Sequence, residues 1–420
     1  MGRLIIGCEA HTSPRERGLE RKATIMADTY RVLLYSHDSL GLGHVRRNLT
    51  IAHHLVRHLP EATGAQVAGL LVSGLADASG FPLPEGFDWL TIPGVTGTIH
   101  GYRPRRLPGA TGELIKLRSQ LLEGALLGFN PDLVIIDRHI YGVMKELQEP
   151  LLKLRILNPS VKVVLGLREV LDDPQMAAVG WERLGPPEQL RDVLDEIWAY
   201  GDPDVYDPTT TGEIPSALTD CIRFTGYLAH DRHIGEDSEP LAPRPFVLTT
   251  AGGGSDGHEL LRAAVAMRPP AGHENIIVTG PQLDDADYEA IAAQAGPGTQ
   301  VHRSWPGLGS QIDQAAAVIA MGGYNTACEI LATDTPALVV PRETPTPEQL
   351  IRARALRDAG AIDVLRAPSV TADALSAWVA GAVTRRVGRS HIERDGLAAT
   401  AGFAADLLLD DEGSKREVVA

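Results

Sequence analysis

Cysteine, aromatic residues, net positive charge and long apolar runs are all scarce in this chain, and each scarcity argues against a class of protein. Only three cysteines occur, at 8, 221 and 328. An odd number so widely spaced implies no disulfide framework, has no metal-ligand spacing and fits a reducing compartment. No apolar run reaches the roughly 18 residues that a membrane-spanning helix needs. Lys and Arg total 39 against 54 Asp and Glu, a formal charge of -15. Such a surface repels a phosphate backbone, which argues against nucleic acid as a partner of the whole chain.

Glycine is plentiful instead. Its 43 residues, with 44% hydrophobic and 5% aromatic residues, suit an α/β protein with many tight strand-to-helix turns. At 420 residues the chain exceeds one ordinary core, so two domains of roughly 150 to 200 residues are expected. Residues 1–29 read as a disordered leader, with Met26 as an alternative beginning. "LIIGC" (4–8) looks like a lipoprotein cleavage site, but its apolar run is too short for a signal peptide.

The ordered pattern starts at "YRVLLYSH" (30–37), followed by a glycine turn and then by Val45, Leu49, Ala52, Leu55 and Leu59 at helical spacing. The stretches "PDLVIID" (131–137, before a helical "GVMKELQEPLLKL"), "VKVVLGL" (161–167), "EIWAYG" (196–201) and "CIRFTGYL" (221–228) read as further buried strands. A first domain over 30–229 follows. The polar, proline-rich segment 230–245 reads as a linker. A second strand series, at 244–254, 274–280, 315–321, 336–341 and 361–365, predicts a second domain over 246–388. Residues 389–420 are expected to supply a helix packing back on the first domain, and a tail. Strands alternating with helices give parallel sheets, whose ligands bind beyond the strands' carboxyl ends.

Two glycine loops stand at such ends. "MGGYNTACEIL" (321–331) places Gly322 and Gly323 between a strand and a helix amino terminus, a local anion site. "TTAGGGSDGHELL" (249–261) is similar, with Ser255 or Asp256 positioned as a cap. Two such loops in one domain suit a diphosphate. Neither fits G-x-x-x-x-G-K-[ST], which excludes a P-loop NTPase. "GLGHVR" (41–46) has Arg46 where a dinucleotide fingerprint wants Gly or Ala. In "PRETPTPEQLIRARAL" (341–356), Thr346 and Gln349 bracket Pro347 in a capping pattern, leaving Glu348, Gln349 and Arg352 on a first turn at the same cleft.

The run from "MGGYNTACEIL" through "PALVVPRETPTPEQLIRARAL", with "AGGGSDG" and "GLGH" before it, resembles the peptidoglycan N-acetylglucosaminyltransferase family and its MurG-like relatives of glycosyltransferase family 28 type. These are GT-B enzymes with two facing Rossmann-like domains and a cleft between them. The resemblance is specific mainly over 321–356. It implies a nucleotide sugar, UDP-linked in the first instance, with Gly322, Gly323, Asn325 and Thr326 at its diphosphate. It also implies Gly253, Gly254 and Ser255 completing the phosphate cradle, Glu329 at the ribose, Glu348, Gln349 and Arg352 at the donor sugar, and Trp305 or Leu308 at the base. The amino-terminal loop departs from the family's glycine run, and the family's acceptor-side motifs are not evident, so no acceptor transfers.

The expected reaction is a metal-independent inverting transfer to a hydroxyl through an oxocarbenium-like transition state, with no cofactor. His44 is the first choice of general base and Asp137 the second. Arg46 and Arg47 stand in a first helical turn whose dipole disfavours cations, a placement that an anion docking there would explain; with Gly43 they are assigned to the acceptor side, to which strand-end logic adds His139, Arg168 and Glu169. "DPD" (202–204) mimics a metal motif but reads as a turn. The competing readings are a nucleotide-sugar 2-epimerase and a non-catalytic nucleotide-sugar-binding protein. A cytoplasmic location is expected. Peripheral membrane contact through the basic, aromatic segment 97–109 is a further expectation, for an acceptor that could be lipid-linked, a polysaccharide or a small glycoside.

Overall fold

The computed structural model describes residues 28–37, 42–75, 78, 80–98, 101–232, 242, 244–254 and 256–419, with side chains described as far as 410. Residues 1–27 of the expected leader, Ser255 and most of the expected linker lie outside the described residues, and the leader's last residue, Thr29, instead opens β1.

In the first half the order is β1 (Thr29–Tyr35), α1 (Gly43–Thr63), β2 (Gln66–Ser73), β3 (Phe87–Thr91), β4 (Val95–Thr98), β5 (Gly101–Pro104) and α2 (Thr111–Phe129). Then come β6 (Leu133–Asp137), α3 (Gln148–Leu157), β7 (Lys162–Arg168), α4 (Pro174–Glu182), α5 (Pro187–Arg191), β8 (Glu196–Tyr200) and β9 (Ile222–Phe224). The second half runs β10 (Phe246–Thr250), α6 (His258–Val265), β11 (Glu274–Val278), α7 (Asp285–Ala292), β12 (Thr299–His302), α8 (Leu308–Gln314) and β13 (Ala317–Ala320). It ends with α9 (Tyr324–Leu331), β14 (Ala337–Val339), α10 (Glu348–Asp358), β15 (Asp363–Val364), α11 (Ala372–Ala382) and α12 (Gly396–Val419).

Two parallel sheets result, ordered β3-β2-β1-β6-β7-β8-β9 and β12-β11-β10-β13-β14-β15. Strands covered on both faces need apolar residues at every position, and "LVIID" is buried throughout. Strand order reverses between β1 and β6 and again between β10 and β13. Each reversal opens a crevice at the carboxyl edge, where loops leave in opposite directions.

Some elements escaped the sequence pattern. β2 carries Gly69, where an added Cβ would lie 2.1 Å from the Phe87 ring. The glycine interrupts the apolar signal because β3 packs its phenyl ring there. The helix expected from Gly142 begins only at Gln148: Gly142, Met144 and Lys145 take positive φ as the chain turns over Tyr35. That turn buries Glu146, which accepts bonds from Tyr35 Oη at 2.5 Å and from Arg118 at 2.5 and 2.6 Å. The strand expected over 221–228 stops at Phe224, and the chain leaves the sheet through Gly226 at φ 79°.

The last helix crosses back to the first half. Leu397, Ala401, Ala404, Ala405 and Leu408 of α12 join the core that contains Leu49, Ala52 and Leu55 of α1. The Asp202 of "DPD" serves this return, accepting from the Glu393 amide at 2.8 Å and from Asp204 at 2.9 Å. It is a turn, as its proline neighbours predict. No helix among the described residues is long and apolar enough to cross a membrane.

Candidate active site

The two crevices face each other across one cleft of about 660 Å³. On its first-half wall, α1 starts without a side-chain cap, so His44, Arg46 and Arg47 occupy a turn whose dipole disfavours cations. Two of them, His44 and Arg47, are answered by one carboxylate. Asp137, at the end of β6, accepts from His44 Nδ1 through Oδ2 and from Arg47 Nη2 through Oδ1. The two residues expected as alternative bases are thus one hydrogen-bonded pair.

Burial works to raise the Asp137 pKa, but Arg47 and His44 pull it well below the ordinary range, so Asp137 stays a carboxylate. An ionised carboxylate only accepts, so the bond to Asp137 needs the proton on His44 Nδ1. Arg47 Nη2 also stands 3.1 Å from that nitrogen, which, carrying the proton, does not accept from it, and Nε2 then carries the lone pair. Burial also lowers the His44 pKa, and Asp137 offsets only part of that. The imidazole is therefore neutral at physiological pH. This is the protonation state a general base requires.

His139 lies beside this pair, its pKa pushed down to about 3 by burial and by Arg138. His37, which the sequence reading passed over, is wholly buried, with its ring 5.0 Å from that of His139 and Nε2 3.0 Å from Tyr102 Oη. The signal was present: His37 follows β1 directly, at the same sheet edge as Asp137.

On the opposite wall, Gly323 precedes α9 with no side-chain cap. The amides of Tyr324, Asn325 and Thr326 have no carbonyl to bond within the helix. The two glycines of the opening loop divide their tasks. A Cβ on Gly323 would meet nothing within 4 Å, whereas one on Gly322 would lie 3.1 Å from the Gln349 carbonyl and 3.4 Å from Val339. Gly323 borders the cleft; Gly322 seats α10 against the sheet.

The second loop interlocks similarly. Gly254, at φ 92°, would drive a Cβ to 2.6 Å from the Thr279 carbonyl, and Gly280 would do the same to Gly252 at 2.5 Å. Gly253 lines the cleft, and a Cβ there would sit 3.1 Å from Gln282 Oε1. Thr326 faces this loop, 3.8 Å from the position of a Cβ on Gly252.

Several expected ligand contacts prove to be joined across the cleft. Arg168 pairs with Glu348 at 2.6 Å, and Glu169 with Arg352 at 2.7 Å. Consecutive residues after and at the end of β7 thus meet the i and i+4 positions of α10 with charges reversed. Burial works to raise the Glu348 pKa, yet Arg168 and Arg352 pull it down to about 2. Glu169 and Arg352 are 0% and 1% exposed. They bridge the domains as a buried ion pair. Gln349 stays at the cleft and accepts from the Arg342 amide at 3.0 Å.

Asn325 is likewise shared, accepting from Arg232 and donating to the Gly43 carbonyl at 3.0 Å. Glu329 receives Arg46 at 3.3 Å. Tyr324 lies between two guanidinium groups, each 5.6 Å from its ring centre, Arg47 from one half and Arg352 from the other. Trp305 and Leu308 pack against the core and do not line the cleft. The nucleobase contacts expected of them are not part of the described cleft.

Comparison with known proteins agrees with this geometry. Residues 248–386 match the model of the glycosyltransferase family 28 C-terminal domain. The whole chain is similar in fold to CalG4, the calicheamicin glycosyltransferase (TM-score 0.58, 17% identity, 91% of this chain and 98% of that one). It is also similar to MurG of Acinetobacter baumannii (0.53, 16%, 91% and 99%). A third likeness is to a putative UDP-N-acetylglucosamine 2-epimerase of Listeria monocytogenes (0.55, 15%, 93% and 97%). Among curated proteins none matches the chain in sequence. Sheet order, facing crevices and the solved structures converge on a GT-B fold, whose second domain matches the C-terminal domain model of glycosyltransferase family 28 over residues 248–386.

Proposed function

We propose that the protein is a hexosyltransferase that moves a sugar from a nucleoside diphosphate, UDP in the first instance, to a hydroxyl acceptor with inversion. One observation carries the reading: a neutral His44 held by Asp137 stands across one cleft from an uncapped helix start with Gly323 open before it. The acceptor oxygen attacks the anomeric carbon as its proton passes to His44 Nε2. The bond from that carbon to the diphosphate oxygen breaks on the opposite face, and its electron pair leaves with the diphosphate. Asp137 stabilises the imidazolium that forms, as orienting carboxylates do for other histidine bases.

The leaving charge meets the amides of α9, a preorganised site of the kind that stabilises developing anions. In this reading the helix end serves in place of a divalent cation, and turnover is expected to survive a chelator. Glu329 is the ribose acceptor once Arg46 swings away. Arg46 is half exposed in that pair while Glu329 is buried, so the ribose hydroxyls would have to replace the guanidinium as donors to the carboxylate.

The test compares wild type with His44→Ala for donor hydrolysis and transfer, with UDP affinity measured alongside. A positioned base contributes roughly 10²- to 10⁴-fold. A loss in that range with UDP affinity kept within threefold supports the assignment, and turnover within tenfold of wild type removes His44 from it. Sugar isomerisation without any acceptor would instead indicate 2-epimerase chemistry, and binding of the donor without turnover a non-catalytic role.

A further inference from the structure

A second, smaller cavity of about 90 Å³ opens behind the His44–Asp137 pair, inside the first domain. About three waters would fill it at roughly 30 Å³ each, and because it opens into the main cleft a single ring can enter it with its polar end left outside. Its walls are apolar, formed by Leu167 of β7, Leu171 after that strand, and Met176, Ala177 and Trp181 of α4. The walls are fastened. Glu213, itself fully buried, accepts from the Leu171 amide at 2.7 Å, and its own carbonyl accepts from Trp181 Nε1 at 2.8 Å.

Three arginines stand where this cavity joins the main cleft, since Arg47, Arg138 and Arg168 line both. Two are consumed: Arg47 by Asp137 and Arg168 by Glu348. The guanidinium of Arg138 has no hydrogen bond or ion pair among the described residues. Asp172, which also lines both cavities, accepts from the Asp173 amide at 2.8 Å and makes no ion pair with it. Arg138 also holds φ 74°, fixed by its amide bond to the Gly166 carbonyl at 3.0 Å. A left-handed backbone is uncommon for an arginine, and such residues cluster at ligand sites.

Resting on the transferase reading above, we propose that this cavity is the acceptor subsite. Its ligand is a compact apolar group, about one ring in size, carrying a carboxylate or phosphate close to the hydroxyl that receives the sugar. The apolar body fills the space before Trp181, the anion meets Arg138, and the hydroxyl is left at the mouth beside the base. The small volume separates this from an extended lipid chain.

The test uses ortho-hydroxybenzoate, whose carboxylate adjoins its hydroxyl, its neutral methyl ester and decyl phosphate as probes, with saturation-transfer NMR and calorimetry on the full chain. Two variants accompany wild type. Arg138→Gln removes the cation. Gly180→Leu fills the cavity from α4, at a glycine where an added Cβ meets nothing within 4 Å. The expected result is that the acid binds wild type, loses at least tenfold in Arg138→Gln and is lost in Gly180→Leu. The ester should bind more weakly and ignore the Arg138 change. Absence of acid binding to wild type, equal binding by Arg138→Gln, or preference for decyl phosphate would overturn the proposal. Calorimetry with UDP on the same samples separates the two readings: UDP binding without acid binding sinks the subsite alone, and loss of both sinks the donor site as well.

Discussion

The paired glycines at 322 and 323 are chemically identical and perform different tasks, which substitution should separate. Gly323→Ala places a methyl group in open space at an ordinary φ of -66°, so stability should change by less than about 1 kcal/mol, the scale of a helix-cap change. Nucleoside diphosphate affinity should fall, because the methyl intrudes on the helix start. Gly322→Ala presses on the Gln349 carbonyl and Val339 and should lower the melting temperature. Calorimetric and thermal unfolding measurements on both variants check this; the reverse pattern would exchange their roles.

Titration is also a residue-scale matter. His37, His44 and His139 all have pKa values lowered by burial, His139 to about 3. In the unfolded chain each takes up a proton near pH 6.5. Below that pH the unfolded state binds more protons, so their contribution to stability is complete above pH 6.5 and is lost as pH falls toward 3. The melting temperature should drop steadily on acidification through that window, and His139→Asn should flatten the drop. A slope unchanged in the variant would contradict the assignment. By the same depression of the His44 pKa, the acid limb of kcat/KM should lie below pH 6.5.

At the scale of elements, the informative unit is the crossed clasp between the end of β7 and the first turns of α10. Glu169→Ala would leave Arg352 buried without its partner, and breaking such a pair by removing one member costs about 3–5 kcal/mol. Replacing both, as Glu169→Leu with Arg352→Met, should recover much of the urea resistance, because buried pairs exchange well for apolar packing. Equal losses in the single and double variants would contradict that account. Sequence alone could place Glu169 at a strand end and Arg352 on a helix start, but not in contact across 183 positions. The same limit explains His44 and Asp137, which were weighed as rivals: each was found by its local pattern, and their partnership depends on β1 and β6 being neighbours.

Glycine-marked turns and uniformly apolar strands were legible because their signals are local. β2 and the turn at 142–147 were not, since the Phe87 ring and the Tyr35 hydroxyl shape them from a distance. Arg138 was missed for a related reason. Nothing in "IIDRH" shows that its two neighbouring arginines are already neutralised by residues elsewhere in the chain.

For the whole molecule, the proposed transfer needs one cleft in which the second domain would hold a nucleotide and the first would supply the base. The structure has the cleft bridged by its own side chains, Arg46 on Glu329 and Arg168 on Glu348. Donor binding must exchange the first of these contacts for ligand contacts. Calorimetric titration of UDP, TDP, GDP and ADP into wild type and Glu329→Ala tests this most directly. One diphosphate should bind wild type and stabilise it by about 2.7 kcal/mol at a hundred times its dissociation constant, with affinity lost in the variant. Binding of none of the four would mean that the glycine turns serve packing alone and would contradict the transferase assignment, whereas binding indifferent to Glu329 would remove that residue from the ribose.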